Sequence, residues 1–142
     1  MLENLEGRAV KIMIYKLEIK QKLPSFNDYI KACRTNKYLG ASMKEKIEYT
    51  IWLYILQQLK GLEIQKPVFI TFTWVEENEK RDLDNICFAK KFILDALQKA
   101  GILENDNRRH VAGFIDKFEY AKKSKVIVEI EEIEEIEENT DE

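Results

Sequence analysis

Four aspartates and one lysine fall within a short stretch of the chain, at spacings that could bring them to one site. They are Asp82, Asp84, Lys91, Asp95 and Asp106. At about 100° per residue, a continuous helix over residues 84–100 would place Asp84, Phe88, Lys91 and Asp95 within about 60° of one another on its outer face, with the segment's apolar side facing the core. Asp82 precedes this helix and Asp106 follows it in a loop. Both are therefore free to converge on the same place.

This combination of side chains suits phosphodiester hydrolysis. Carboxylate oxygens are the ligands that Mg²⁺ prefers, and Mn²⁺ accepts them as well. Such an ion polarises a phosphodiester and acidifies a water, while a lysine stabilises the charge that develops on the phosphate. Clustered carboxylates also repel one another unless a cation relieves them, and Lys90 or Arg81 could serve instead of a metal. On spacing alone the alternative stays open that this is a solvated helix face, with Asp84 as an N-cap and Asp106 in a turn.

A resemblance favours the nuclease interpretation. The resembling residues are Arg81-Asp82-Leu83-Asp84-Asn85, Lys91, Leu94-Asp95-Ala96-Leu97, Ala100-Gly101-Ile102-Leu103 and Asp106, with a looser match at Pro24 and Asn27. This pattern resembles the RusA family of endodeoxyribonucleases, the phage-type Holliday-junction resolvases, over most of residues 8–130. The resemblance implies a homodimer that binds four-way DNA junctions and, with Mg²⁺ or Mn²⁺, cuts two strands of like polarity symmetrically.

The resemblance also implies roles for individual residues. Asp82, Asp84 and Asp106 match the family's metal-binding aspartates, and Lys91 matches its catalytic lysine. Asp95 and Lys90 are accessory candidates, because the spacing between Asp84 and Asp95 is longer than in the family's archetype and leaves the lysine open between Lys90 and Lys91. Helical geometry favours Lys91, since Lys90 points about 120° away from Asp84. Asn105 stands where the archetype has a second acid, so an accessory ligand is missing.

Charge is distributed unevenly along the chain. Residues 129–142 contain nine acidic and no basic residues, which leaves 17 of the 26 acidic residues against all 23 basic ones in residues 1–128. A basic body is compatible with a polyanionic partner such as DNA, although a basic turn is equally typical of simple solvation. The candidate DNA contacts are Arg34, Lys37, Lys44, Arg81, Arg108, Arg109, Lys122, Lys123 and Lys125.

Hydrophobic periodicity and capping residues predict the elements that position the site. We predict strands at 9–19, 67–75, 111–120 and 125–130, and helices at 26–35, about 43–60 and 84–100. Ser25 with Asp28, and Ser42 with Glu45, have capping-box spacing, and Gly61 is a typical residue after a helix end. The last two strands are expected to form a hairpin through a basic turn. The order β-α-α-β-α-β-β indicates an α/β (α+β) fold, a small mixed sheet with helices packed mainly on one face.

Length and composition limit the remaining choices. The 142 residues suit one domain, which we place at residues 1–130, with 131–142 as an acidic frayed helix or disordered tail. With no long apolar run and no signal-peptide pattern, we expect a soluble protein without a membrane partner, in the cytoplasm of a bacterial or phage-infected cell. The two cysteines lie too far apart in sequence for a zinc-knuckle pattern.

Two other functions remain open at this stage. A DNA-junction binding module of the same fold would bind without cutting, although a pure binder gains nothing from carboxylates where phosphates approach. A metal-dependent hydrolase of small nucleotides would lack salt-sensitive DNA affinity. His110, the only histidine, could act as a general base but is more typical of an ordinary strand residue.

Overall fold

The structure, a computed structural model, describes residues 2–3 and 9–135. Five strands and four helices lie within these residues. In chain order they are β1 (Leu2–Glu3), β2 (Ala9–Ile19), α1 (Phe26–Thr35), α2 (Lys37–Leu59), β3 (Val68–Glu76), α3 (Leu83–Cys87), α4 (Lys90–Lys99), β4 (Val111–Tyr120) and β5 (Lys125–Glu135). No helix in this part of the chain is long and apolar enough to cross a membrane.

The strands form one mixed sheet in the order β1-β2-β5-β3-β4. Only β3 and β4 are parallel, and the other neighbours are antiparallel. The core-facing row Leu17, Val128 and Phe72 crosses three strands in register and is fully buried. Helices cover this face with the buried side chains Ile51, Ile55, Ile93 and Leu97. The predicted mixed sheet with helices mainly on one face is therefore confirmed.

The predicted hairpin of the last two strands is wrong. Strand β5 pairs with β2 and β3, whereas β4 pairs with β3 from the other side. The basic turn carries the chain across the end of β3, where the Ala121 N–H donates to the Glu76 carbonyl at 3.0 Å. Burial explains the order: β5 has the buried residues Val126, Val128 and Ile130 and lies inside the sheet, while β4 has no buried residue and takes an edge.

The first two helices form a closely packed hairpin. Helix α1 begins with the predicted capping box, in which Ser25 Oγ accepts from the Asp28 N–H at 3.1 Å and Asp28 Oδ2 accepts from the Ser25 N–H at 3.0 Å. Helix α2 begins at Lys37, earlier than predicted, because the Asn36 side chain caps its first turn in place of Ser42. Gly40 is required where the two helices meet, since a Cβ there would collide with the Sγ of Cys33.

The predicted helix over residues 84–100 is two helices. The turn at Phe88–Ala89 is tightened by bonds of i→i−3 type, such as the Ala89 N–H to the Ile86 carbonyl at 3.3 Å. Phe88 does not face outward with Asp84 but packs against Phe26, with ring centroids 4.9 Å apart. The predicted apolar side of the segment is nevertheless buried in the core. Because the helix is interrupted, the helical phase calculated from Asp84 does not carry through to α4.

The prediction that the acidic tail starts at residue 131 is wrong for residues 131–135. These residues extend β5 and stay in register with β2, with Glu132 opposite Met13 and Ile133 opposite Ile12. The carboxylate of Glu132 accepts a hydrogen bond from the Tyr15 hydroxyl at 3.2 Å. Backbone pairing along the ladder therefore outweighs the acidic composition of this segment. The rest of the predicted tail, residues 136–142, lies outside the described residues.

Candidate active site

Asp82 and Asp84 lie on the surface at the start of α3. Asp82 is the residue before the first helical turn, yet its side chain makes no capping bond. Asp84 Oδ1 accepts only from the adjacent Asn85 N–H, at 3.0 Å. Both residues are exposed, and neither forms an ion pair with another described residue. Their carboxylates are thus available to an external cation.

Arg81 and Asn85 fix the chain on either side of these aspartates. The Arg81 guanidinium donates to both carboxylate oxygens of buried Glu76, at 2.6 and 2.8 Å, and to the Leu23 carbonyl at 2.8 Å. Asn85 Oδ1 accepts from the Asn27 N–H at 2.9 Å, which ties α3 to α1. Arg81, predicted as a DNA contact, is thus engaged within the fold, where it positions the loop that carries Asp82.

Lys91 lies between two carboxylates. Its ammonium nitrogen is 3.1 Å from Asp95 Oδ1, one helical turn along α4, and 3.2 Å from Asp106 Oδ2 in the following loop. Hydrogen bonds to Asp95 first and Asp106 second raise the pKa of Lys91 above its ordinary value of 10.5. The Lys91 side chain is 57% exposed, so the charge is held in place without being removed from solvent.

Lys90 lies in a different environment. Its ammonium group is 2.7 Å from Asp116 Oδ2 on β4 and 3.7 Å from the centre of the Phe114 ring. Asp116 also accepts from the indole N–H of buried Trp74 at 2.9 Å. Lys90 therefore neutralises a carboxylate that serves the core, whereas Lys91 faces the site. Sequence reasoning missed Asp116 because its partners are distant in the chain.

The predicted metal-binding aspartates are not brought together as one group. Within residues 2–3 and 9–135, no three acidic, histidine or cysteine side chains converge closely enough to hold a metal ion. Asp106 is paired with Lys91 instead of with Asp82 and Asp84. The donor set still fits Mg²⁺, which is typically held by one or two carboxylates together with waters and substrate phosphate.

Asp95 and Lys44 extend the site toward α2. Lys44 lies 3.4 Å from Asp95 Oδ2 and 3.7 Å from the carboxylate of Glu48. Glu48 is 3% exposed and also pairs with Lys99. Lys44, predicted as a DNA contact, is therefore committed to two carboxylates. Glu48 was missed by sequence reasoning, although its i, i+4 spacing from Lys44 was a usable signal.

The other predicted DNA contacts differ in their availability. Lys125 is paired with Glu18 at 3.2 Å. The remaining six are exposed and form no ion pair with another described residue: Arg34, Lys37, Arg108, Arg109, Lys122 and Lys123, of which Lys37 lies over the Tyr38 ring. His110 contacts Asn107 Oδ1 at 2.8 Å through Nδ1 and Glu104 at 3.5 Å through Nε2, so both ring nitrogens face its own loop.

A groove beside α1 and α2 adds cationic groups that sequence reasoning did not select. Its volume is about 780 Å³, and Pro24, Leu39 and Ile47 contribute to its apolar lining. The newly found cationic side chains are Lys22, Lys31 and Lys46, and the already predicted Arg81 lies beside them. Helical spacing in α1 and α2 gave no sign of this convergence, because it depends on how the two helices pack.

Two comparisons with known proteins point to the same protein family. A family model described as "Endodeoxyribonuclease RusA" matches residues 8–131. The chain is also similar to a "Crossover junction endodeoxyribonuclease RusA" of Aquifex aeolicus (strain VF5), with 28% identity over 123 residues that cover 86% of this chain and 91% of the relative. The match spans every strand and helix from β2 to β4 and all but the end of β5.

Proposed function

The chain belongs to the RusA family of endodeoxyribonucleases, and from this premise we propose that it is a metal-dependent nuclease that resolves four-way DNA junctions. The observation that carries the proposal is the surface site: the available carboxylates of Asp82 and Asp84 on α3, followed on α4 by a lysine that is held against Asp106. The similarity to a crossover junction endodeoxyribonuclease supports the four-way junction as substrate.

Asp82, Asp84 and Asp106 would hold the divalent cation, Mg²⁺ or Mn²⁺. When bound, the cation supplies Lewis-acid polarisation of the phosphodiester and an acidified water. The oxygen-only donor set and the exposed positions of Asp82 and Asp84 support this assignment. Asp106 differs from them because an ammonium group already lies on it.

Lys91 would stabilise the transition state. Its raised pKa keeps the side chain protonated at neutral pH. A protonated lysine donates to the negative charge that develops on the phosphate oxygens during in-line attack by water. This electrostatic role requires a fixed position, which the contacts of Lys91 with Asp95 and Asp106 provide in the free protein.

DNA would be positioned by cations that the fold leaves available. Arg108 and Arg109 directly follow the Asp106 loop, and Lys122 and Lys123 lie in the turn after β4. The lysines of the groove beside α1 and α2 are further candidates for phosphate contacts. Contacts of this kind bind phosphates without reading sequence, which suits an enzyme that selects a DNA structure.

A homodimer fits this chemistry, because a junction with two-fold symmetry offers two equivalent phosphates to two active sites. Light scattering should then give a mass twice that of the 16.8 kDa chain. The same proposal places the protein in the cytoplasm of a bacterial or phage-infected cell, where such junctions form.

The proposal is tested with a labelled synthetic four-way junction and a linear duplex of the same sequence. Wild-type protein should cut the junction but not the duplex in Mg²⁺, and EDTA should abolish cutting. Asp84→Asn should bind the junction and leave it intact, because the substitution removes charge without changing shape. Tight binding by wild type without cleavage in Mg²⁺ or Mn²⁺ would instead identify a binding module, and no junction preference would refute both functions.

A further inference from the structure

A row of alternating charges connects the candidate site to the interior of the helical layer. It joins α2, α4 and the loop after α4, and its members in spatial order are Lys99, Glu48, Lys44, Asp95, Lys91 and Asp106. Each carboxylate in the row except Asp106 lies between two ammonium groups. The arrangement fixes the position of Lys91 from the protein side.

Both oxygens of Asp95 already face an ammonium group. Its Oδ1 is 3.1 Å from Lys91 and its Oδ2 is 3.4 Å from Lys44, while the side chain is only 14% exposed. Asp82 and Asp84, in contrast, are exposed and form no ion pair with another described residue. The difference separates the acidic residues of the segment into two kinds.

We infer that Asp95 is a positioning residue for Lys91 and that Lys44, anchored on Glu48, holds Asp95 in place. The inference rests on the proposed function, in which Lys91 acts on the phosphate and Asp106 binds the cation. A cation on Asp106 competes with Lys91 for that carboxylate, so Asp95 is the partner that keeps the lysine in the site. Asp95 is thereby excluded from the metal ligands.

Burial of Glu48 makes the anchor rigid. A carboxylate that is 3% exposed is stable only with compensating charge, which Lys44 and Lys99 supply from two sides. One Glu48 oxygen, Oε1, has no hydrogen-bond partner and faces Lys44 at ion-pair distance only. Lys44, which is 42% exposed, thus lies within ion-pair distance of one carboxylate on α2 and one on α4, which assigns it to Asp95 rather than to DNA.

The test compares Asp95→Asn, Lys44→Met and Lys44→Arg with the matched control Lys60→Met. Lys60 directly follows α2, is exposed and forms no ion pair with another described residue. Asp95→Asn should slow single-turnover junction cleavage about 10–100-fold, the usual cost of losing a residue that holds a functional side chain in place. Lys44→Met should slow it less, and Lys44→Arg should recover most of the rate. In these variants, junction affinity in EDTA and Mn²⁺ affinity by electron paramagnetic resonance should stay within about twofold of the wild-type values, well below the expected change in rate.

A second readout does not require cleavage. Relaxation of the ¹⁵N-labelled Lys91 ammonium should report greater mobility in Asp95→Asn and Lys44→Met than in wild type, with no change in Lys60→Met. If wild-type protein cuts no junction, the proposed nuclease function is refuted. Increased Lys91 mobility in Asp95→Asn and Lys44→Met would still leave the positioning role intact. Unchanged mobility, unchanged cleavage, or loss of Mn²⁺ binding in Asp95→Asn would each overturn the positioning role.

Discussion

Lys90 and Lys91 are adjacent in sequence at the start of α4, yet they belong to different parts of the molecule. The Lys90 side chain is 13% exposed and pairs with Asp116, a carboxylate that also accepts from the Trp74 indole. The Lys91 side chain is 57% exposed and pairs with Asp95 and Asp106. In α4, Lys90 therefore contacts the sheet, whereas Lys91 lies at the surface.

The difference shows how burial separates stabilising charges from reactive ones. Around Lys90, every charged partner is largely enclosed, and losing one leaves a carboxylate without compensation. Around Lys91, the ammonium group is itself exposed, and Asp95, although only 14% exposed, keeps Lys44 as a second partner, so losing Lys91 costs little stability and its position matters mainly for chemistry. Adjacent residues of the same type should thus respond to substitution in opposite ways.

The largest expected effect is on catalysis by Lys91→Met. We expect single-turnover cleavage of the four-way junction to fall about 10²–10³-fold, the usual cost of losing one transition-state donor. The free energy of unfolding in urea should change by less than about 1 kcal/mol, because Lys91 is itself exposed and Asp95 keeps its pair with Lys44. If Lys91→Met cuts the junction at the wild-type rate, Lys91 has no catalytic role and does not differ from Lys90 in this respect.

Lys90→Met should show the reverse. Removing the ammonium leaves the Asp116 carboxylate with the Trp74 indole alone, and we expect a loss of about 3 kcal/mol of unfolding free energy. Cleavage per folded molecule should stay near wild type. Adding Asp116→Asn should recover part of the stability, because the uncompensated charge is gone. If Lys90→Met is as stable as wild type but cleaves poorly, Lys90 rather than Lys91 is the lysine required for cleavage.

A large part of the fold could be predicted because its signals are local. Strand β2, helix α1 with its capping box, and strand β3 follow from alternation and from side chains three residues apart. The crossing of β4 and β5 could not be predicted, since strand order depends on which strand has enough apolar surface to lie inside the sheet. The interruption at Phe88 was hidden for a similar reason, because it depends on packing against α1.

The candidate site divides in the same way. Lys91 with Asp95 was accessible from helical spacing, which survives because both lie within α4. Glu76 and Asp116 were not accessible, because they reach the site segment through tertiary packing, whereas Glu48 had only its helical spacing from Lys44 as a signal. Sequence therefore identified the candidate site residues more readily than the residues that hold them.

The smallest expected effect concerns Lys99, which shares Glu48 with Lys44. Its hydrogen bond to Glu48 raises the pKa of Lys99 above 10.5 in the folded protein. The stability gained from this pair is therefore complete below pH 10.5 and is lost as the pH rises through the folded pKa. Lys99→Met should cost about 1 kcal/mol at pH 8, and urea unfolding should show the difference from wild type shrinking above pH 10.5. A difference independent of pH would mean that Lys99 contributes by packing.

The account is tested most directly by mapping the cuts in a four-way junction whose strands are labelled one at a time. With wild-type protein and Mg²⁺, we expect nicks in two strands of like polarity at symmetry-related positions, and none in EDTA. The nicks should be ligatable, as expected for hydrolysis that leaves the DNA backbone otherwise intact. A junction that is bound but uncut in both Mg²⁺ and Mn²⁺, or cuts that persist in EDTA, would contradict the proposed metal-dependent resolution.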